Sequence, residues 1–275
     1  HCRHAATVFT ALICTSEHQC ISSISASAVF LDVSAAFDAV WHSGLLRKLE
    51  QINIKGDALK LFSSYLSMRR AVTVIDGKKS TEQPVNAGVP QGSRLGPLLF
   101  LVYMNDIVVD LESKPYIFAD DCTLISTASS TFETTNMLSR DLTKISNWAH
   151  IWKINFNPQK SKHMIFSKAH LLARPVIMDI TIIERVYMHK HLGIFLTSDL
   201  TWDKQIAHIS KKVNLKLSIM WSVKELSRQC LDLLCKLHVR ASIDYCITVF
   251  GPCLNQLQIK KLDNLLYRAA KIVTG

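Results

Sequence analysis

Long apolar runs are missing from this sequence of 275 residues. The stretch from Leu98 to Met104 is typical of the longest, whereas a helix that spans a membrane needs about 20 consecutive apolar residues. We therefore expect no transmembrane helix and no membrane partner.

Paired cysteines, repeats and an initiator methionine are missing too. None of the eight cysteines belongs to a C-x-x-C pair, the spacing typical of zinc and redox sites, and a chain of this length needs no disulfide bonds to fold. We interpret the cysteines as buried thiols of an intracellular protein. Internal repeats and low-complexity linkers are absent, and the sequence starts with His, so we interpret it as beginning inside a longer open reading frame.

Acidic residues are scarce in the second half of the chain. The formal net charge is +10, to which residues 1–121 contribute −1 and residues 122–275 contribute +11. With 48% hydrophobic and 20% charged residues, the chain can bury a sizeable core, which excludes disorder of the whole chain. A basic half beside an acid-containing half suits a protein that binds a polyanion with one part and cations with the other. An ordinary basic domain is the alternative.

Apolar periodicity predicts an α+β domain followed by an α-helical region. For the first half we predict a strand over 28–31, helices over 34–52, 58–68 and 98–111, a hairpin turning at Asp76–Gly77, and two short strands over 116–118 and 122–125. For the second half we predict a helix over 132–152, strands over 163–166, 176–183 and 191–196, and helices from Thr201 onward.

Two adjacent acids, Asp120 and Asp121, lie between the two short strands. Aspartate favours turns, so these residues can simply form a hairpin tip. Asp32 ends the strand over 28–31 and adds a third carboxylate at a strand end, although it can also serve as a helix N-cap. Three clustered carboxylates repel one another unless hard cations such as Mg²⁺ or Mn²⁺ offset their charge. Two such ions about 4 Å apart can stabilise the attacking and leaving oxygens of a phosphoryl transfer.

Five motifs carry a resemblance to a known family. They are FLDVSAAFDAVWHSGLLRKL, GVPQGSRLGPLLFLVYMNDI, FADD, NPQKSKHMIF and KHLGIFLTSDLTW. In order and approximate spacing they resemble the polymerase motifs of reverse transcriptases, in particular those of jockey-like and related non-LTR retrotransposons. The resemblance extends from about residue 5 to residue 275.

The resemblance implies a right-hand polymerase. Its expected parts are a fingers remnant over 1–27, a palm with an antiparallel sheet over 28–200 that contains a fingers-side insertion at about 50–87, and a helical thumb over 201–275. The catalytic acids implied are Asp32, Asp120 and Asp121, which are also the implied metal ligands. The backbone carbonyl of Val33 is a further implied ligand.

The resemblance also assigns roles around the substrate. Phe37 stands at the position that excludes the ribose 2′-hydroxyl, or it is a core residue on a helix face. Gln91 and Gly92 lie in the loop beside the primer and incoming nucleotide, where glycine lets the backbone approach closely; a generic turn is the alternative. Lys160 corresponds to the basic residue near the leaving pyrophosphate, or it is an ordinary surface lysine. The Leu192–Gly193 turn matches the hairpin that supports the primer end.

A basic stripe on the first C-terminal helix is predicted from spacing alone. Its four residues recur every fourth position, opposite an apolar face: Lys204, His208, Lys212 and Lys216. The stripe contacts template–primer phosphates, or it is a solvated charged face.

The function implied is RNA-directed DNA synthesis, with an RNA template, a DNA primer, deoxynucleoside triphosphates and Mg²⁺. Two departures are Ala35, where the family usually has Lys, and Arg94, where it often has an apolar residue. We expect fingers and endonuclease domains to belong to a longer protein, little activity from this chain alone, and an intracellular, nuclear location. The alternatives are an inactive or domesticated fragment that only binds nucleic acid, and a metal-dependent nuclease or phosphatase.

Overall fold

The computed structural model describes residues 25–167 and 173–275. The strands in these ranges are β1 (Ser25–Leu31), β2 (Arg70–Ala71), β3 (Val74–Ile75), β4 (Lys78–Lys79), β5 (Gln83–Pro84), β6 (Lys114–Phe118), β7 (Asp121–Ala128), β8 (Lys162–Phe166), β9 (Ile177–Met178), β10 (Thr181–Ile182), β11 (Glu184–Arg185), β12 (Met188–His191) and β13 (Ile194–Thr197). The α-helices are α1 (His42–Gln51), α2 (Gly56–Leu66), α3 (Leu95–Met104), α4 (Thr131–Trp152), α5 (Asp203–Ser222), α6 (Arg228–Leu234), α7 (Ala241–Asp244), α8 (Ile247–Phe250) and α9 (Gln256–Thr274). The predicted α+β fold is confirmed.

A five-stranded sheet with the order β11–β8–β1–β7–β6 forms the centre of the described chain. Strand β1 is antiparallel to both β7 and β8, and β11 is parallel to β8. Because β1 is central and covered on both sides, its sequence is a nearly continuous apolar run, and Ala26, Ala28 and Val29 have no exposed surface.

Each face of the sheet packs against a different set of helices. Val29 and Leu31 share one apolar cluster with buried residues of α1, α3 and α4. Ala28 and Phe30, which point to the opposite face, share the other cluster with residues of α5 and α9. The C-terminal helices therefore pack on the sheet and do not form a separate core.

A buried lysine joins α1 to the helices beside it. Lys48 is 3% exposed, and its ammonium group donates to a carboxylate oxygen of Asp106 at 2.5 Å and to the carbonyl of Tyr103. The same group lies over the rings of Trp148 and Trp152, at 4.5 and 3.8 Å from their centroids. These contacts pair the buried charge and tie α1 to α3 and α4.

The helix predicted over 34–52 begins only at His42, so this prediction is wrong for its first eight positions. Ala35 has a left-handed φ of 48°, which interrupts a right-handed helix. The carbonyls of Phe37 and Val40 accept hydrogen bonds from the amides of Val89 and Gly88, respectively, and are thus not used within a helix. Contacts from a distant loop override the apolar periodicity here.

Local turn chemistry predicts the hairpins better. Asp76 and Gly77 have φ values of 49° and 76° between β3 and β4, as a type I′ turn requires, and this prediction is confirmed.

The strand predicted over 176–183 is instead a hairpin of β9 and β10, because Asp179, with φ 53°, turns the chain. The helix predicted over 98–111 is shorter: α3 ends at Met104 and a 3₁₀ turn follows to Val108.

The helical pattern predicted from Thr201 onward is confirmed by α5 to α9, with a π-helical stretch over Cys235–Arg240. A capping box of Asn255 and Gln258 begins α9. The division into fingers, palm and thumb stays a prediction. Most of the expected fingers remnant lies outside the described residues, and positions 25–27 belong to β1. No helix within residues 25–167 and 173–275 is long and apolar enough to cross a membrane.

Candidate active site

Strand register brings two of the three predicted acids to adjacent positions. Leu31 of β1 pairs with Cys122 of β7, and Asp32 follows the first of these residues while Asp121 precedes the second. Because the strands are antiparallel, Asp32 and Asp121 stand side by side at one end of the sheet. Asp120 lies in the tight turn between β6 and β7, next to Ala119, whose φ is 53°.

The three carboxylates interact electrostatically. Burial raises the pKa of Asp121, and the negative charges of Asp120 and Asp32 raise this pKa further. Because part of the Asp121 surface is exposed to solvent, solvent screens part of this repulsion. The end of the sheet thus concentrates negative charge where a cation would be stabilised.

The donor chemistry fits Mg²⁺ or Mn²⁺ only in part. Carboxylate oxygens are the ligands that these hard cations prefer. Within the described part of the chain, however, no group of three or more His, Cys, Asp or Glu side chains is placed to hold a metal ion. Mg²⁺ sites in phosphoryl-transfer enzymes use one or two carboxylates together with substrate phosphates, which is the arrangement that these acids suit.

The loop from Asn157 to Ser161 is held against the backbone of Asp32. The amide of Asp32 donates to the hydroxyl oxygen of Ser161 at 3.1 Å, and the carbonyl of Asp32 accepts from the amide of Asn157 at 2.8 Å. The same Ser161 hydroxyl donates to the carbonyl of Asn157 at 2.8 Å. Beside this loop, Val33 forms an antiparallel bridge with Phe156. The two chain segments are thereby locked together.

Lys160 lies within this loop. Its amide donates to the side-chain oxygen of Asn157 at 3.2 Å, and its own side chain is exposed. These contacts anchor the backbone of Lys160 to the segment that carries Asp32. The position of Lys160 near the leaving pyrophosphate stays a prediction.

Phe37 is half-buried and packs against Phe100, with ring centroids 4.7 Å apart. Phe100 has no exposed surface, so one side of the Phe37 ring rests on the core. Phe37 therefore contacts the core on one side of its ring, but not from a helix face, because the helix begins only at His42. The predicted contact with the sugar concerns the other side.

Gln91 and its loop lie against the segment that contains Phe37. The Gln91 amide nitrogen donates to a carboxylate oxygen of Asp38 at 2.9 Å. Gly88 and Gly92 have positive φ values of 86° and 79°, which explains why glycine stands at both positions. The structure therefore brings Phe37 and Gln91, both predicted to contact the substrate, into one region.

Four residues of this region were not singled out from the sequence, although they lie within its motifs. Asp38 and His42 contact the Gln91 loop, and Asn157 and Ser161 contact Asp32. The presence of polar residues within the same motifs is the signal that could have found them.

The predicted basic stripe divides into two parts. Lys204 and Lys212 are exposed. Lys216 donates to the carbonyl of His238 at 2.9 Å and to the hydroxyl of Ser242 at 2.6 Å, so it joins α5 to the helices after it. This contact gives Lys216 a structural role that the stripe prediction did not include.

His208, the fourth residue of the stripe, packs edge-on against Phe195 of β13, with ring centroids 5.1 Å apart. Burial lowers the pKa of His208, and the positive charges of Lys190, Lys212 and Lys211 lower it further. These shifts place Lys190 and Lys211, which the stripe prediction missed, in the same positive region.

The turn between β12 and β13 is held from the C-terminal helices. Leu192 and Gly193 have φ values of 47° and 82°, as in a type I′ turn. The hydroxyl of Tyr245 donates to the carbonyl of Leu192 at 2.9 Å, and a Cβ at Gly193 would lie 3.3 Å from the Tyr245 ring.

Comparison with protein families identifies the chain. Residues 4–213 match the family model described as reverse transcriptase (RNA-dependent DNA polymerase). The match covers more than half of the chain, which therefore belongs to the reverse transcriptase family. Members of this family are nucleotidyltransferases that bind nucleic-acid templates and use divalent metal ions.

Curated relatives support the retrotransposon resemblance. The RNA-directed DNA polymerase from the mobile element jockey of Drosophila melanogaster is 31% identical over 83% of the chain and 25% of the relative. The probable RNA-directed DNA polymerase from transposon X-element of the same organism is 30% identical over 90% of the chain and 28% of the relative. The chain thus spans about a quarter of the length of these relatives. Among solved structures, apo telomerase from Candida tropicalis aligns with a TM-score of 0.49 and 12% identity over 73% of the chain and 39% of that protein.

Proposed function

We propose that this chain carries the polymerase centre of a retroelement reverse transcriptase. In this proposal it extends a DNA primer on an RNA template with deoxynucleoside triphosphates and Mg²⁺, which Mn²⁺ can replace. The observation that carries the proposal is the position of Asp32 beside Asp121, with the Asn157–Ser161 loop bound to the backbone of Asp32.

Asp32 and Asp120 bind the metal ions in this proposal, Asp121 supports them, and the carbonyl of Val33 is a further ligand. When bound, the ions supply charge stabilisation to the entering and leaving oxygens of an in-line phosphoryl transfer. Burial raises the pKa of Asp121, and repulsion from Asp120 and Asp32 raises it further. The repulsion supports this assignment, because bound cations would relieve it.

Three residues act on the nucleotide. Phe37 excludes a 2′-hydroxyl by bulk, and its contact with Phe100 keeps its ring from moving away. Gln91, with Gly92 beside it, contacts the incoming nucleotide and the primer. Lys160 holds a proton near the leaving pyrophosphate, where an ammonium group stabilises developing negative charge.

The basic second half binds template and primer through their phosphates. The +11 formal charge of residues 122–275 supports this part of the proposal. Lys204, His208 and Lys212 line the contact, with the Leu192–Gly193 turn at the primer end. Such binding weakens steeply as salt rises and shows little sequence preference.

A second candidate function is nucleic-acid binding without catalysis, as in a domesticated fragment. The same net charge favours it, since phosphate binding needs no catalytic acids. Because the chain spans about a quarter of its curated relatives, we propose that it acts as part of a longer protein. Fingers and endonuclease domains would then come from the rest of that protein, which works inside the cell, in the nucleus.

The deciding experiment is primer extension by the protein that contains this chain, with the substitution Asp120→Asn. We expect extension to fall to background while template–primer binding stays within about twofold, because one ligand oxygen loses its charge and the basic half is unchanged. Asp179→Asn, at an exposed turn position where Asn also fits a positive φ, is the matched control. Extension at the wild-type rate by Asp120→Asn would show that other residues perform the chemistry. Binding without extension in the wild-type protein would favour the second candidate.

A further inference from the structure

The segment from Phe37 to His42 and the loop from Ala87 to Gln91 are joined along their backbones. The amide of Val89 donates to the carbonyl of Phe37 at 2.8 Å, and the amide of Gly88 donates to the carbonyl of Val40 at 2.8 Å. One residue further along, Trp41 and Ala87 form an antiparallel bridge. Side-chain contacts between the two segments span 46 and 53 positions of sequence, so only the tertiary structure brings them together.

Two side chains add to this backbone contact, one at each end. Asp38 accepts a hydrogen bond from the amide nitrogen of Gln91 at 2.9 Å. The Nε2 atom of His42 lies 2.8 Å from the carbonyl oxygen of Gly88, so Nε2 carries the proton in this contact. We call these two contacts, made by Asp38 and His42, the latch.

Steric contacts leave little freedom between the segments. A Cβ at Gly88 would lie 2.9 Å from both the Cα and the carbonyl oxygen of Asp38, closer than side-chain carbons approach. On its other side, the segment is fixed by the packing of Phe37 on the fully buried ring of Phe100. The positions of Phe37 and Gln91 are therefore fixed relative to each other.

We propose that Asp38 and His42 are positioning residues that set the discrimination between deoxyribonucleotides and ribonucleotides. The inference rests on the proposed function, in which Phe37 and Gln91 contact the incoming nucleotide. Phe37 can reject a 2′-hydroxyl only if the nucleotide is held against it. Gln91 holds the nucleotide there, and the latch keeps Gln91 at a constant distance from the Phe37 ring. Neither latch residue touches the substrate.

Substitution of Asp38 tests the first contact. In the protein that contains this chain, Asp38→Ala should raise the KM for deoxynucleotides by about tenfold, because a displaced binding group loses alignment with its substrate. It should also raise ribonucleotide incorporation relative to deoxyribonucleotide incorporation, while kcat at saturating nucleotide changes less. Asp38→Asn retains an oxygen that accepts from Gln91 and should restore the wild-type KM and ratio. An unchanged ratio in Asp38→Ala overturns the proposal.

A paired substitution isolates the hydrogen bond itself. Gln91→Glu places a second carboxylate against Asp38, and like charges at that distance repel. Combining Gln91→Glu with Asp38→Asn restores a donor–acceptor pair, in which position 38 now donates and position 91 accepts. We expect the double variant to discriminate between the sugars better than Gln91→Glu alone. Equal discrimination by the two variants counts against the latch.

Amide hydrogen exchange provides a readout that needs no activity. In the 1–275 chain, peptides that cover residues 87–92 should exchange faster in Asp38→Ala and in His42→Ala than in the wild-type chain, and the Asp38→Asn peptides should not. Unchanged exchange in both alanine variants overturns the latch whatever the activity. If exchange responds but the wild-type protein extends no primer, the latch stands as a structural device and the proposed function fails.

Discussion

The amide of Asp32 donates a hydrogen bond to the hydroxyl oxygen of Ser161 at 3.1 Å, across 129 positions of sequence. This bond joins the end of β1, which carries one acid of the site, to the loop that carries Lys160. The Ser161 hydroxyl also donates to the carbonyl of Asn157 within its own loop, so the hydroxyl that accepts from Asp32 is held in place. This side chain therefore helps to set the position of the acid relative to the lysine, together with the backbone hydrogen bond from Asn157 to Asp32.

Removal of this hydroxyl should impair catalysis more than binding. We expect Ser161→Ala to lower kcat by about tenfold or more, because small displacements of catalytic groups are costly, with little change in template affinity. Loss of the hydrogen bond should lower the free energy of unfolding by about 1 kcal/mol. Ser161→Thr keeps the hydroxyl and should recover most of the rate. An alanine variant with wild-type kcat would show that the contact is only structural.

Phe37 should discriminate sugars by bulk. Phe37→Ala is expected to raise the incorporation of ribonucleotides relative to deoxyribonucleotides, because space for a 2′-hydroxyl opens. The loss of discrimination between the sugars should be about a few kcal/mol at most. Phe37→Tyr, which keeps the ring, is the matched control and should stay close to the wild type. The measurement is single-nucleotide extension with each substrate. An equal ratio in the alanine variant and the wild type would leave Phe37 with core packing alone.

The exposed and engaged lysines of α5 should behave differently. Lys204→Gln and Lys212→Gln should each weaken nucleic-acid binding and reduce the slope of log affinity against log salt by about 1, because each removes one phosphate contact. Lys216→Gln should instead lower stability, since its ammonium group bonds His238 and Ser242. Lys60→Gln, at a side chain 81% exposed on α2, is the control. Salt slopes that match the wild type in both stripe variants would identify a merely solvated face.

Acid should destabilise the fold through His163. Burial, together with the charge of Arg185, lowers the pKa of His163 to about 4, and the Nε2 atom lacks a hydrogen-bond partner among the described residues. The unfolded chain takes up a proton below about pH 6.5 while the folded chain stays neutral down to about pH 4, so stability falls as pH falls through this window.

Urea unfolding at pH 7 and pH 5 measures this effect. We expect His163 alone to account for a loss of about 2 kcal/mol between the two values, from the shift of its pKa. His163→Gln should remove that part of the pH dependence even if its overall stability changes. The exposed His150 offers a matched control, and His150→Gln should retain the wild-type pH dependence. The same dependence in His163→Gln and the wild type would contradict the assignment.

Features that depend on neighbouring residues were predicted well from the sequence. The positive φ values at Asp76–Gly77 follow from turn chemistry that operates within four residues. The mixed α+β pattern, the helical C-terminal region and the hairpin that carries Asp120 and Asp121 were likewise predicted from local patterns. The place of Asp32 at a strand end joined it to these acids as a third carboxylate, and the family resemblance added the expectation that the three bind metal ions.

Contacts between distant segments decided the rest. The apolar periodicity from Phe37 to Leu49 favours a continuous helix. Two carbonyls of this segment instead accept hydrogen bonds from the amides of Gly88 and Val89, and the helix begins only at His42. The spacing of the stripe predicts the same role for Lys216 and Lys212. Lys216, however, donates a hydrogen bond to Ser242 on another helix, whereas Lys212 is exposed.

The sequence by itself determined which chemical groups this protein has: carboxylates at strand ends, a glycine-rich loop and a basic second half. Only the tertiary structure decided which of them meet, because strand register sets Asp32 beside Asp121 and hydrogen bonds over long sequence separations set Ser161 beside Asp32. Register and long-range hydrogen bonds depend on the packing of the whole sheet, whereas residue spacing reports only on the nearest turns of the chain.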